Sequence, residues 1–371
     1  MHRVAKGAPS PAAREQNPAA PSLASNATKA ILPTPAIAFM TASLLELSIA
    51  LSDNERTRPL IEGRVAPQGI KPVVTVVHPS EMFWRQLRFA EFDVSEMSMS
   101  SLIIAASRGD TRWAAIPVFT MRKFFHTSII VRADSGIAAP PDLRGKRIGV
   151  PEYQQTWAIW SRGVLQHEFG VHARDIEWFM ERNPEKSHGG ATGFNPPPGV
   201  RLHHIPPSTN IGDMLLRGEL DGALLYLVHP NLIDRSTVDV SGVTRHLFPD
   251  PAAEGRRFYA KTGLFPINHT VVVRRSLLER HPWVALNLYA AFVAAKEEIA
   301  RYGQSYLQWY FETGLLDASI NRTLADNDPL AYGFKASRAV LETIAEYVHE
   351  QGLSARRVKL EELFVASTLD M

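Results

Sequence analysis

Residues 141–160, PDLRGKRIGVPEYQQTWAIW, decide how this chain is read. Pro141-Asp142 and Gly145-Lys146 form turns, Arg147–Val150 is a short apolar strand, and Pro151 stops it. Glu152–Thr156 then lead into an amphipathic helix through Trp160 and Leu165. A strand that hands over to a helix in this way leaves backbone N–H groups, backed by the helix dipole, pointing out of the sheet edge. Those groups form a ready seat for a carboxylate or phosphate. Taken alone, the same pattern also describes an ordinary αβ unit whose helix start binds only water, so the neighbouring sequence has to separate the two.

On the N-terminal side, strands and helices alternate. Strands are expected at Leu45–Leu51, Val73–Val77, Val94–Met97, Trp113–Val118 and Phe125–Val131, and helices over Ser80–Ala90 and from Ser98–Ser101 to Gly109. Thr57 is expected to cap a short helix with Pro59 in its first turn. On the C-terminal side a second such unit follows: strands at 147–150, Ile176–Met180, Val200–Ile205 and Ala223–Val228, with helices at 155–169 and Asn210–Arg217. Asn183–Gly199, rich in Gly and Pro, reads as a surface loop. Ile267–Arg274 is a strand able to return to the first unit, and the chain ends in helices at Ser276–Arg280, Trp283–Arg301 and Ala336–Gln351. The pattern predicts α/β, with mostly parallel sheets. It fits two three-layer lobes of the type II periplasmic-binding-protein-like kind with a C-terminal helical tail, whose ligand sits between lobes at helix starts and strand ends. The first lobe is residues 45–131 plus 267–371, the second 132–266.

The 371 residues are 45% hydrophobic, enough for two cores, and 40 Lys and Arg against 38 Asp and Glu leave the chain almost neutral. That balance points away from nucleic acid and from anionic membrane surfaces. Cysteine is absent, which excludes disulfides, thiolate metal sites and a cysteine nucleophile. Residues 1–44, rich in Ala, Pro and Ser, read as a disordered extension. They hold basic residues and an Ala24–Ala27 stretch resembling a cleavage site, but no apolar segment between them. Cytoplasmic location is therefore favoured, with the periplasm as the alternative, and Met40 is a candidate true start. Ile31–Leu51 contains Pro33, Pro35 and Glu46, so no membrane span is expected.

Four segment ends would line one cleft: Asp53–Thr57, Ser98–Ser101, Glu152–Thr156 and Pro266–His269. Arg56 and Arg58 flank the first, where a planar guanidinium suits a carboxylate and a surface ion pair is the plainer use. Ser98, Ser100 and Ser101 offer donors at a helix start, or simply cap it. His126 and His269 lie on the strands expected to cross between lobes. An imidazole there serves as general acid or base, or as a hydrogen-bonded structural group. Glu152 directly after its strand is a further acid/base candidate, or a charge favoured by the helix dipole. Arg122 and Lys123 stand beside His126. No HExxH, P-loop or GxSxG pattern occurs, which argues against zinc hydrolysis, nucleotide chemistry and serine catalysis.

Seven blocks resemble the 4,5-dihydroxyphthalate decarboxylases, themselves similar to the solute-binding proteins of ABC importers. They are SDNERTRPLIEGRVAPQGI (52–70), FDVSEMSMSSLI (92–103), IPVFTMRKFFHTSIIV (116–131), LRGKRIGVPEYQQTWAIWSRGVL (143–165), TGLFPINHTVVVRR (262–275), ERHPWVALNLYAAF (279–292) and DPLAYG (328–333). The departures are the first 44 residues, the start of Asn183–Gly199, and LYLVHP at 225–230. The resemblance implies decarboxylation of a dihydroxylated aromatic dicarboxylate with no cofactor, the ring acting as its own electron sink; no metal site is expected, since no histidine has a partner at metal-ligand spacing. It implies a small aromatic carboxylate as partner. Arg56, Ser98, Ser100, Ser101, Gln155 and Thr156 would hold the carboxylate that stays, with Arg122 neutralising charge. His126 and His269 would form the acid/base pair with Glu152 in support, and Trp157, Phe124 or Phe119 would face the carboxylate that leaves. The alternative is a non-catalytic carrier of an aromatic carboxylate. The apolar helix Trp283–Ala300 has two candidate partners, the first lobe and a second subunit.

Overall fold

A computed structural model describes residues 43–228, 231–317, 319–320 and 327–371. The disordered reading of residues 1–44 falls almost wholly outside them.

The first sheet has the order β2-β1-β3-β11-β4, built from β1 (Leu45–Leu51), β2 (Ile70–Val76), β3 (Val94–Ser98), β4 (Trp113–Arg122) and β11 (Ile267–Arg274). β1 is parallel to both β2 and β3, whereas β11 runs antiparallel between β3 and β4. The returning strand is thus central to the first lobe. It is buried from Ile267 to Val273 because IleAsnHisThrValValVal is covered on both faces. The register sets His269 against Ser98 on β3 and against Met121 on β4.

The second sheet has the order β10-β5-β9-β6-β7-β8, from β5 (Ile130–Arg132), β6 (Arg147–Val150), β7 (Glu177–Met180), β8 (Arg201–His204), β9 (Gly222–Ala223) and β10 (Thr244–His246). Here β9, β6, β7 and β8 are parallel, β5 is antiparallel to β9, and β10, antiparallel to β5, runs with the other four. Each sheet therefore has one reversed strand, β11 in the first and β5 in the second, and both are mostly parallel, as expected. Phe125–Val131 is not a first-lobe strand: Phe125–Ser128 is a 3-10 turn, and only Ile130–Arg132 is extended, in the second sheet.

Helices α2 (Pro79–Phe89), α3 (Met99–Ser107) and α4 (Thr156–Phe169) each begin at the end of a strand or of the segment that follows one. Thr57 stands at the N-cap of α1 (Arg58–Ile61) with Pro59 in its first turn, as expected, but its side chain makes no capping bond; the hydroxyl donates instead to the Ser52 carbonyl at 2.5 Å. Asn183–Gly199 is not wholly a surface loop. It contains the short helix α5 (His188–Thr192), and Ser187, His188 and Gly189 are buried. α6 (Ile211–Arg217) matches the helix expected at Asn210–Arg217, with Asn210 as its cap, and α7 (Pro251–Thr262) is a helix not foreseen from the sequence. α8 (Arg275–Arg280) and α9 (Val284–Glu312) come next, then α10 (Phe334–Glu350), which crosses to the second lobe and lies on α4. Gly163 permits that approach, since a Cβ there would overlap the Tyr347 ring.

Candidate functional site

A cavity of about 130 Å³ lies where the two lobes meet. β11 contributes Asn268 and His269, the end of β3 contributes Ser98, and the start of α4 contributes Gln155, Thr156 and Trp157. Arg182, just beyond β7, and His188 complete the polar wall. Phe83, Met121, Leu225 and Leu227 supply apolar surface. Two wider hollows adjoin it. One, of about 510 Å³, holds Arg56 and shares His269 and Met121; the other, of about 530 Å³, holds Lys123 and Arg245 and shares Trp157 and Leu225.

His269 is held from three directions. Its Nδ1 lies 3.1 Å from Glu96 Oε2, its Nε2 lies 2.9 Å from Asn268 Nδ2, and the Phe83 ring meets it edge-on at 4.6 Å between centroids. The Asn268 amide nitrogen can only donate, so Nδ1 carries the proton and the Nε2 lone pair accepts from Asn268 at the cavity wall. Glu96 is fully buried in β3. Burial works against its charge, but His269, Ser52 and Thr120 hold its carboxyl below the usual carboxylate range. Ser52 donates through both N (2.7 Å) and Oγ (2.6 Å), and the Thr120 hydroxyl donates to Oε2. An anionic carboxylate with four donors is a rigid support for an imidazole, and its charge complements the imidazolium formed when Nε2 takes up a proton.

Across the cavity, Arg182 is almost fully buried. Its fork grips Asp234, with Nε at 2.6 Å from Oδ1 and Nη2 at 3.0 Å from Oδ2, and Nη2 also donates to Ser80 Oγ on α2 at 2.6 Å. This second-lobe arginine is thereby bonded to the first lobe. Burial opposes the Asp234 charge, yet Arg182, Ser80 and Asn231 hold it down at about 2. Behind Arg182 sits Glu152, fully buried, with Oε2 4.0 Å from Nη1 and 3.1 Å from the His188 N–H. Burial pushes its carboxyl up to about 7, the Arg182 charge and the backbone N–H groups of His188 and Gly189 offsetting part of the rise. His188 is pushed down to about 3 by burial and by Arg182, so it is a neutral ring. A second tie between lobes runs from Ser98 Oγ to Thr156 Oγ1 at 2.9 Å.

Over 333 residues, 88% of this chain and 98% of the relative, the sequence is 37% identical to a 4,5-dihydroxyphthalate decarboxylase of Comamonas testosteroni. The chain belongs to the 4,5-dihydroxyphthalate decarboxylase family. A decarboxylase of the same name from Pseudomonas putida is 38% identical over 215 residues, 58% of this chain and 81% of that protein. Residues 67–191 also match the model described as ABC transporter, phosphonate, periplasmic substrate-binding protein. Two solved structures are similar to this family member at 14% identity. They are the periplasmic aliphatic sulphonate binding protein of Escherichia coli (TM-score 0.50; 88% of this chain, 99% of that one) and the alkanesulfonate-binding protein of Xanthomonas axonopodis (0.51; 87% and 97%). The fold is type II periplasmic-binding-protein-like.

Within this decarboxylase-family fold the residues singled out in the sequence divide. His269, Ser98, Gln155, Thr156 and Trp157 line the central cavity, and Arg56 lines the adjoining one, where its Nη2 donates to the Thr120 carbonyl. Ser100 and Ser101 are buried behind the wall, bonded to Gln154 O at 2.7 Å and to His188 Nδ1 at 3.4 Å. Glu152 is likewise one layer back. His126 is not at the cavity: its Nε2 is 3.0 Å from Glu254 Oε1, and its ring packs against Phe248 and Phe258. The expected imidazole pair is therefore not brought together, because the 3-10 turn at Phe125–Ser128 swings His126 toward α7. Arg122 also points elsewhere, donating to Phe265 O, Ala331 O and Ser337 Oγ, and burial lowers its guanidinium to about 10. Phe119 packs on Phe364 and Phe124 on Phe265, so of the proposed apolar wall only Trp157 faces the cavity. Glu96, Arg182, His188 and Asp234 were missed, while Asn268 falls within Pro266–His269, the segment expected to line the cleft. A carboxylate in the middle of a buried strand (Val94-Ser95-Glu96-Met97-Ser98) and an arginine just past a strand's carboxyl end were the available signals. Among the described residues no cluster of three or more His, Asp or Glu is arranged to hold a metal ion.

Proposed function

We propose that this protein converts 4,5-dihydroxyphthalate to 3,4-dihydroxybenzoate and CO2. Beside family membership, one observation carries the reading: the Glu96–His269 pair presents Nε2 to a cavity that also contains Arg182. In this substrate each carboxylate has a hydroxyl para to it. Electron density from that hydroxyl makes the ring carbon bearing the departing carboxylate basic. When Nε2 is protonated the Asn268 amide, which donates to it at rest, gives way, and His269 delivers the Nε2 proton to that carbon while Glu96 holds the ring in line. The carbon–carboxylate bond then breaks, its electron pair restores the aromatic ring, and CO2 departs. One proton is consumed per turnover, and His269 recovers it from solvent.

The carboxylate that stays is bound by Arg182, Gln155 and Thr156, all on the second-lobe side of the cavity. The carboxylate that leaves lies toward Trp157, Leu225 and Leu227, where few donors stabilise its charge relative to the more dispersed charge of the transition state. Incubating the purified protein with 4,5-dihydroxyphthalate should yield CO2 and 3,4-dihydroxybenzoate in equal amounts. Saturable binding of the phthalate without gas release would instead make the protein a carrier, the role named for the sulphonate-binding structures.

A further inference from the structure

Every residue lining the hollow of about 510 Å³ beside the central cavity belongs to the first lobe. Ser52–Arg56 follow β1, Val76–Pro79 run from β2 into α2, Thr120 and Met121 lie near the end of β4, and His269 is on β11. His78, Pro79, Met121 and His269 line both spaces, so the two meet at the imidazole. Arg56 is half-buried here and, among the described residues, has no ion pair. Its Nη2 donates to the Thr120 carbonyl, and its Nε is buried with no hydrogen-bond partner. The nearby carboxylates are engaged or turned to solvent: Asp53 pairs with Arg58 at 3.0 Å, Glu96 is held by Ser52, Thr120 and His269, and Glu55 is exposed. A half-buried guanidinium without a counter-charge can accept an anion, and a buried N–H without an acceptor is a cost that an arriving oxygen removes. Thr120 also ties this arginine to the acid. Its carbonyl anchors Arg56 while its hydroxyl donates to Glu96, the carboxylate behind His269.

The substrate carries its two kinds of polar group on opposite edges. In 4,5-dihydroxyphthalate the carboxylates are neighbours on one side of the ring and the hydroxyls are neighbours on the other. The carboxylates lie toward Arg182, Gln155, Thr156, Trp157, Leu225 and Leu227, all in the second lobe. The hydroxyl edge then faces the first lobe, where Arg56 is. We propose that Arg56 binds the hydroxyl para to the departing carboxylate as its anion, and so makes that hydroxyl a requirement for turnover. The proposal rests on the decarboxylase reading for the orientation of the ring. The hydroxyl gives its proton to solvent as the complex forms. A lone pair on the phenolate oxygen then moves into the ring as the para carbon takes the His269 proton, leaving a carbonyl at Arg56. Loss of CO2 returns the electron pair to the ring and to that oxygen, which regains its proton when product leaves.

The probe 3,4-dihydroxybenzoate keeps both hydroxyls and the carboxylate that stays, so it reports this contact without turnover. Titrated into the protein at pH 7, it should show the red shift of its ultraviolet band that ionisation of a phenol produces. It should also bind at least about tenfold tighter than benzoate, as a charge-assisted hydrogen bond implies. Arg56→Gln should abolish the shift and the preference while leaving benzoate affinity within about twofold, a split that a merely structural role would not give. In the same variant, kcat/KM for CO2 release from 4,5-dihydroxyphthalate should fall about 100-fold. Arg56→Lys, which keeps the charge, should keep the shift, and a lysine variant without it counts against the proposal even if the glutamine variant does not fold. A wild type that binds 3,4-dihydroxybenzoate without the shift overturns the proposal. So does a glutamine variant that keeps the shift, or one that loses benzoate and dihydroxybenzoate alike. A shift that depends on Arg56 in a protein that releases no CO2 supports the contact and removes only the decarboxylase reading. Turnover unchanged in Arg56→Gln does the reverse.

Discussion

Two histidines in this protein have the same kind of partner and different surroundings. His269 bonds to Glu96 and His126 to Glu254, at 3.1 and 3.0 Å, and both rings are buried. In the first pair the carboxylate holds Nδ1, and Nε2, bonded to the Asn268 amide, lies at a cavity. In the second it takes Nε2, and the ring is walled off by Phe248 and Phe258, with Nδ1 meeting no polar group. Glu254, moreover, is shared: burial works against its charge, and bonds from Arg257 and His126 hold it down at about 2. A histidine–carboxylate pair is thus no mark of catalysis by itself. What separates the two is whether the other ring nitrogen can reach a ligand.

The sharpest test of that contrast is His269→Ala, expected to lower kcat by between about 100- and 10,000-fold in a CO2-release assay, the range usual for a general acid. Glu96→Gln keeps the shape but removes the charge behind the ring. A loss on the order of 100-fold in kcat is expected, with KM little changed, because the amide still orients the imidazole but no longer complements imidazolium. Glu152→Gln examines the other side of the cavity. The folded-state pKa of Glu152, about 7, lies above its usual value, so between about 4.5 and 7 the folded state binds the extra proton. Stability from this group is then present at low pH and lost as pH rises through 7. Replacing it should stabilise the protein at pH 8 by about 2 kcal/mol and leave pH 5 nearly unaffected, read by urea unfolding at both pH values. The smallest effect on rate should come from His126→Ala, with kcat within about threefold of wild type. Its cost should appear as about 1–3 kcal/mol of unfolding free energy, since Glu254 loses a buried partner. Equal losses of activity in the two alanine variants would erase the distinction.

Local pattern made the architecture legible. Strand and helix periods and Pro151 as a stop all act over a few residues, and most of the observed elements overlap the expected ones; the exceptions are α7, which was missed, Phe125–Ser128, which is a 3-10 turn, and α9, which runs eleven residues past the expected end at Arg301. β11 could be recognised as a returning strand because its run of apolar residues is suited to the middle of a sheet. The site was legible only where it is local. The helix start at Gln155–Trp157 and the end of β3 at Ser98 do line the cavity. Glu96 and His269 are 173 residues apart, and Arg182 and Asp234 are 52 apart, so their pairing depends on the assembled fold. The loop at 183–199 misled because Gly and Pro usually mark surface turns, whereas here small residues let the chain pass closely between the lobes. At Gly189 an added side chain would press on both Phe194 and Glu152.

The bonds that join Ser80 to Arg182 and Ser98 to Thr156 have a kinetic consequence. Both are buried and tie one half of the molecule to the other beside the cavity. If the halves part to admit substrate, these bonds are the ones that must break, and loosening either should quicken product release and raise KM.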